Sequence, residues 1–334
     1  NGDGKYNSSD NSAQFTVGKA ASDVVVVVEN VTYGENVPVT VFVNGKGNVT
    51  LEIVGEGYSD VIDIVDGKAE TSIGSLNAGN YTLKVTYNGD ANTNSSSAGA
   101  KFEVAKADPA DTVEGKDIVY GDGETIVINS NVDGTANVTV NGKTTEIALS
   151  VGSNSFEVPG LAAGKYSVEV AFNGNANYNP VTVNAAFNVI KANTTVDAEV
   201  ESSIKYGETQ TINITVDKVN ATGTVTVNID GVNYTATLKD GKANFTTPLL
   251  AAGNHTVTVV YEGDGNYTGS WTDAVFEVTK LEAPFNVTAD DVDSGSDATI
   301  VLVGFPDDAT GYVIVKVNGT EYGVNITQTK QLVI

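Results

Sequence analysis

Cysteine, methionine and arginine are absent from this 334-residue sequence, and histidine and tryptophan occur once each. Without cysteine there is neither a disulfide framework nor a thiolate metal site, so packing alone must hold the fold. Without arginine the planar, two-pronged donor suited to phosphate and carboxylate is missing, and all 18 basic residues are lysines. Against 42 acidic residues they leave a formal charge of -24, which repels nucleic-acid phosphates and anionic membranes and excludes nucleic acid as a partner. Long apolar runs are absent too. Val24 to Val28 is five residues long, far short of the roughly 20 that cross a bilayer, so no membrane span is expected in this segment. The chain opens without an initiator methionine or a signal sequence and stops inside a repeat, so a processed or internal piece of something longer is expected.

What is present is repetition. Phe15-Thr-Val-Gly-Lys19 returns as Phe102-Glu-Val-Ala-Lys106, Phe187-Asn-Val-Ile-Lys191 and Phe276-Glu-Val-Thr-Lys280, at offsets of 87, 85 and 89 residues. Tyr33-Gly34, Tyr120-Gly121 and Tyr206-Gly207 keep step, as do the Leu-x-Ala-Gly strings at Leu76, Leu161 and Leu250. Such spacing defines serial domains. It predicts a closing strand of a preceding repeat over residues 1–19, complete repeats over 20–106, 107–191 and 192–280, and an incomplete fourth over 281–334.

Inside a repeat the apolar period is two. Tyr166, Val168, Val170 and Phe172 fall on one face and Ser167, Glu169 and Ala171 on the other; Tyr81 to Tyr87 and His255 to Tyr261 read alike. Asn141-Gly142, Asp230-Gly231 and Asn318-Gly319 suit type I′ hairpins, which need positive φ twice, and Asn44-Gly45 is expected to make the equivalent turn. Asp66-Gly67 and Asp240-Gly241 give a second hairpin signal, replaced by Val151-Gly152 in the middle repeat. Helix signals are missing. Short strands at this spacing describe a Greek-key β-sandwich.

Tyr206-Gly207, Gly223-Thr-Val-Thr-Val, the stretch from Leu250 to Tyr267 and the closing Phe-x-Val together resemble the group 3 bacterial immunoglobulin-like repeat, over three full repeats. The resemblance implies an all-β chain of tandem immunoglobulin-like sandwiches in an elongated array. It also implies an extracellular, cell-surface setting, and the asparagine-rich style is similar to adhesin-like proteins of methanogenic archaea. Tyr81 and Tyr166 stand where such sandwiches place their tyrosine corner, with the hydroxyl bonded to nearby backbone. His255 takes that position in the third repeat, where local packing and bonding are expected of it.

No catalytic constellation assembles around the one histidine, and no cofactor is expected. Asp290, Asp291, Asp293 and Asp297, around Gly295, are weighed as a calcium loop against a plain solvated one. The recurring Gly-Asp/Asn-x-Asn, as at Asp90 and Asp264, reads as a turn whose short side chains bond their own backbone. Lys19, Lys106, Lys191 and Lys280 read as solvated ends of closing strands. Trp271 falls on the outward parity of its strand, either as a sugar-stacking platform or packed against a neighbouring domain. The sequence holds 16 Asn-x-Ser/Thr sequons, among them Asn30, Asn48, Asn80, Asn137, Asn213, Asn233, Asn254 and Asn266, each an acceptor if the chain is secreted.

The leading expectation is a non-catalytic stalk or spacer of a surface protein, its three full repeats extending on the order of 100 Å. The expected partners are neighbouring repeats or copies of the same chain. Adhesion to carbohydrate or protein on another cell is the alternative, and a filament completed by strand donation between copies is the next.

Overall fold

A computed structural model describes residues 1–334 and contains strands and no helix. The chain divides into two compact units, residues 1–190 and 191–334.

The first unit holds two sandwiches of one design. In the first, β1 (Val24–Val28), β3 (Val37–Val43) and β6 (Lys68–Ile73) make a sheet ordered β1-β3-β6. The facing sheet, ordered β2-β8-β7-β4-β5, uses β2 (Val31–Thr32), β4 (Asn48–Ile53), β5 (Tyr58–Asp63), β7 (Gly79–Tyr87) and β8 (Ser96–Ala105). In the second sandwich β9 (Thr112–Glu114), β11 (Glu124–Ser130) and β14 (Gly152–Val158) form the smaller sheet. β10 (Ile118–Val119), β12 (Gly134–Val140), β13 (Lys143–Leu149), β15 (Gly164–Phe172) and β16 (Val181–Ile190) form the larger. Within each larger sheet the short second strand pairs parallel with the last, β2 with β8 and β10 with β16.

Period-two burial explains the layers. On β7, Leu83, Val85 and Tyr87 are buried while Thr82 and Lys84 face water; on β15, Val168, Val170 and Phe172 are buried against exposed Ser167 and Glu169. The run Val24–Val28 has no polar partner to fix its phase. The pairing Val24↔Val43 sets it, turning Val24, Val26 and Val28 toward the core and leaving Val25 and Val27 exposed. Val168 packs with neighbouring apolar side chains in a core that has no cysteine.

Asn141, Asp230, Asn318, Asp66 and Asp240 take φ between 47° and 53°, each followed by a positive-φ glycine, as type I′ turns require. Asn44 does not. It lies between β3 and β4, where the chain crosses from one sheet to the other, and its Oδ1 accepts the Asp23 N–H at 2.9 Å. Gly45 answers a close approach instead, since a Cβ there would sit 2.2 Å from the Tyr87 hydroxyl oxygen.

Residues 13–19, expected as a closing strand, form none: Phe15 and Val17 stand in solvent, because a closing strand needs a partner strand to pair with and this stretch has none. One turn does form nearer the N-terminus, at Asp3 to Tyr6. Asp3 Oδ1 accepts the N–H groups of Lys5 and Tyr6 at 2.9 and 3.0 Å, and the Asp3 N–H reaches the Tyr6 carbonyl at 3.0 Å.

The second unit holds the third sandwich. Its sheet β17-β19-β22 comprises β17 (Val196–Glu199), β19 (Thr211–Val216) and β22 (Lys242–Thr246). The facing sheet β18-β24-β23-β20-β21 comprises β18 (Ser203–Lys205), β20 (Thr224–Ile229), β21 (Val232–Thr237), β23 (Gly253–Tyr261) and β24 (Ser270–Thr279). Beyond it, β25 (Asn286–Ala289), β26 (Thr299–Val303) and β29 (Gln331–Val333) face the hairpin of β27 (Tyr312–Val317) and β28 (Thr320–Asn325). Their core is small, built on Ile300, Leu302, Phe305, Val315, Val324 and Ile326. The chain is thus all-β, in tandem Greek-key sandwiches of immunoglobulin type.

Candidate functional site

The tyrosine corners come first because the lone histidine belongs to one. Tyr81 donates its hydroxyl to the Asn77 carbonyl at 2.8 Å and Tyr166 to the Ala162 carbonyl at 2.9 Å. His255 fills the third corner. Its Nε2 lies 2.8 Å from the Ala251 carbonyl, in place of the hydroxyl, and its Nδ1 lies 2.5 Å from Asp230 Oδ2. With an acceptor at each ring nitrogen, the doubly protonated ring fits best. Burial opposes that charge, but the Asp230 hydrogen bond, the Ala251 carbonyl and the Asp230 charge together raise the histidine pKa above its ordinary value. The His255 bond, against some burial, lowers Asp230 in turn. No serine or other nucleophile takes part. The cluster is structural.

A second device recurs at the turn before each closing strand. Asp90 Oδ1 accepts the N–H groups of Asn92 and Thr93, both at 2.7 Å, while Oδ2 accepts the Lys46 N–H at 2.9 Å. Asp264 repeats this with Asn266 and Tyr267 on Oδ1 and with the Thr222 N–H and hydroxyl on Oδ2. Asn175 does the same with Asn177 and Tyr178, and its Nδ2 donates to the Asp133 carbonyl. Donated N–H groups, that of Lys46 foremost, hold Asp90 far below the usual carboxylate range. At Asp264 burial works the other way and the N–H groups of Asn266 and Thr222 prevail. Burial and the Asp264 charge push the Tyr261 hydroxyl up to about 12. Carboxylates so occupied by donors are turn locks.

Three of the four repeat-boundary lysines, all exposed as the sequence suggests, also reach these same turns. Lys19 Nζ donates to the Asp90 carbonyl at 2.6 Å, Lys106 to Asn175 at 2.6 Å and Lys191 to Asp264 at 2.5 Å. The following alanines pair there as well, Ala20 with Thr93, Ala107 with Tyr178 and Ala192 with Tyr267. In the first unit the turn also meets the preceding sandwich. Asn177 Oδ1 accepts the Ala78 N–H at 2.9 Å, its Nδ2 donates to Asn77 Oδ1 at 3.1 Å, and Tyr178 meets Tyr33 edge-on at 5.3 Å between ring centroids. In the second unit the corresponding Tyr206 donates to Asp308 at 3.2 Å. Tyr33 and Tyr206 of the Tyr-Gly landmark are therefore junction residues. The landmark's recurrence was visible in sequence, but the partners, 145 residues from Tyr33 and 102 from Tyr206, were not.

Asp290, Asp291, Asp293 and Asp297 do not converge. They lie in an exposed loop, and no group of three acidic or histidine side chains is placed to share a metal ion. Asp111 is different. It is buried with neither carboxylate oxygen hydrogen-bonded; carrying the β9–β11 register one step past Thr112↔Asn129 puts it across from Ser130, whose hydroxyl is spent on Val132. The corresponding pairs are Val24 with Val43 and Val196 with Val216.

Among the sequons, Asn30, Asn80, Asn213, Asn233 and Asn254 are exposed, and Asn48, Asn137 and Asn266 are half-buried. Asn137 spends its side-chain nitrogen on Asn173 Oδ1 at 3.2 Å, and Asn48 Oδ1 accepts from Asn88 at 2.6 Å. Trp271 stands 68% exposed on the outward face of β24, opposite Val260 of β23. Packing does not account for it.

Residues 198–279 match the family model of the bacterial Ig-like domain (group 3). No curated protein matches the chain. Among solved structures it is similar to the ICAM-5 D1-D4 ectodomain fragment, with 10% identity and a TM-score of 0.39 over 91% of this chain and 98% of that one. Sidekick-1 immunoglobulin domains 1-5 give 15% identity and a TM-score of 0.28 over 90% and 69%. The fibronectin(III)-like modules of Clostridium thermocellum CbhA give 13% and 0.25 over 50% and 94%. The fold assignment rests on the strand pairing itself.

Proposed function

We propose that this chain is a non-catalytic spacer of an extracellular surface protein, in which serial sandwiches carry another part of the parent molecule away from the cell. The junction geometry supports this reading most. Lys106, the residue after β8, is already bonded into the next sandwich, so no free linker intervenes there. Exposed sequons and the charge of -24 suit a glycosylated, solvated exterior. No helix is long and apolar enough to cross a membrane. Antibodies against the chain should label intact source cells, and peptides at the exposed sequons Asn30, Asn80, Asn213 and Asn254 should carry sugar masses. Labelling that appears only after permeabilisation would overturn the proposal.

A second reading, copies that complete one another by strand donation, draws on exposed Phe15 and Val17 and on β27, which pairs only with β28. Light scattering decides it. A mass that rises with concentration and falls to a monomer in Phe15→Ser/Val17→Ser supports donation, and a constant monomer mass rejects it.

A further inference from the structure

The larger sheet of the third sandwich has an outward face unlike its counterparts. Strand register lays two rows across it. One runs Trp271, Val260, Thr226 and Thr235; the next runs Asp273, Thr258, Asn228 and Asn233. Val275 lies beyond Asp273 on the same strand and is 67% exposed. The second row is already organised: Thr258 donates to Asp273 Oδ1 at 2.6 Å and Asn228 Nδ2 to Asn233 Oδ1 at 2.6 Å. A row headed by an indole and a valine and continued by two threonines thus runs beside hydroxyl, amide and carboxylate groups about 4.8 Å apart, one per strand.

The other sandwiches lack this pairing. At the Trp271 position they carry Ser97 and Thr182, opposite Thr86 and Ala171; at the Val275 position they carry Lys101 and Ala186. The repeated fold therefore does not require the indole, and the core gains nothing from a side chain so exposed.

We propose that this face binds a neutral saccharide, with Trp271 as the platform for the apolar face of a sugar ring and the row from Asp273 to Asn233 receiving its hydroxyls. Three features select that occupant. An indole presents a flat apolar surface of about ring size. A carboxylate, a hydroxyl and two amides offer both acceptors and donors, as vicinal hydroxyls require. Neither row contains lysine, and the chain carries a charge of -24, so uronate or sulfate groups are repelled. The inference goes beyond the spacer reading and stands apart from it.

Trp271 is the sole tryptophan, so its fluorescence reports on this face alone. The full chain, made in a host that adds no sugars, is titrated with neutral hexasaccharides of glucose, mannose, galactose and N-acetylglucosamine, with a hexuronate as control. The expected result is a saturable blue shift with at least one neutral sugar, and about tenfold weaker binding for Asp273→Ala. By calorimetry Trp271→Ala should not bind, while its unfolding midpoint stays unchanged. No response to any neutral sugar overturns the proposal, as does undiminished binding in both variants or tighter binding of the hexuronate.

Discussion

His255 and Asp111 are two of the buried side chains at which one repeat departs from its siblings. The His255 pKa is raised in the folded state, so its contribution is fully present below the unfolded value of about 6.5 and is lost as pH rises through the folded value. Asp230 is lowered, so its contribution is present above about 3.9 and lost as pH falls through the folded value. Trp271 fluorescence should therefore show third-sandwich stability falling as pH rises from about 6.5. His255→Tyr, which restores the corner of the other repeats, should flatten that limb; an unchanged limb would assign it elsewhere. Asp111 gives the opposite kind of test. Replacing it alone by valine, the residue at this position in the other two sandwiches, removes two buried oxygens that lack partners and keeps the Ser130 hydroxyl bonded to Val132. We expect denaturant unfolding to show a gain of about 1–3 kcal/mol.

At the scale of elements, the turn before each closing strand is the most autonomous piece of the fold. Asp3 makes the same bonds as Asp264 although no sandwich surrounds it, so the bonding is local. In the folded repeats it gains a second set of donors. Asp264→Ala should destabilise the third sandwich by about 1–3 kcal/mol in chemical denaturation. The charge-dependent part of the wild-type advantage should start to shrink below about 3.9 and be lost as pH falls through the lowered folded value, because the lowered carboxylate pKa stabilises the fold fully only above the unfolded value. The sequence disclosed these turns, the strand faces and the type I′ hairpins because each is set by side chains two to four positions apart. It misled at Asn44-Gly45, since the same dipeptide serves a hairpin or, as here, a crossing between sheets where Tyr87 leaves no room for a Cβ. The boundary lysines are exposed, as read, but three of them also donate to carbonyls 69 to 73 residues away, which no local pattern encodes. Trp271 was legible as outward-facing, but the row of Asp273, Thr258, Asn228 and Asn233 beside it needed the register of four strands.

For the molecule as a whole, charge opposes compactness. The surface ion pairs are few and open to water, such as Lys84 with Glu52 and Lys316 with Glu321, each at 3.5 Å, so they offset little of the self-repulsion. Raising salt from low to physiological concentration shortens the screening length from about 30 to about 8 Å. The unfolding midpoint should rise with it; a fall would mean that attraction at the lysines dominates. The parallel pairings of β2 with β8, β10 with β16 and β18 with β24 have a mechanical consequence. A pull between a sandwich's two ends draws the early strand one way and the last strand the other, so their hydrogen bonds are loaded together in shear. The third sandwich has three residue pairs in that clasp, where the first and second have two. Under tension in an optical trap it should be the last of the three to give way, its rupture governed by the unfolding barrier and not by equilibrium stability.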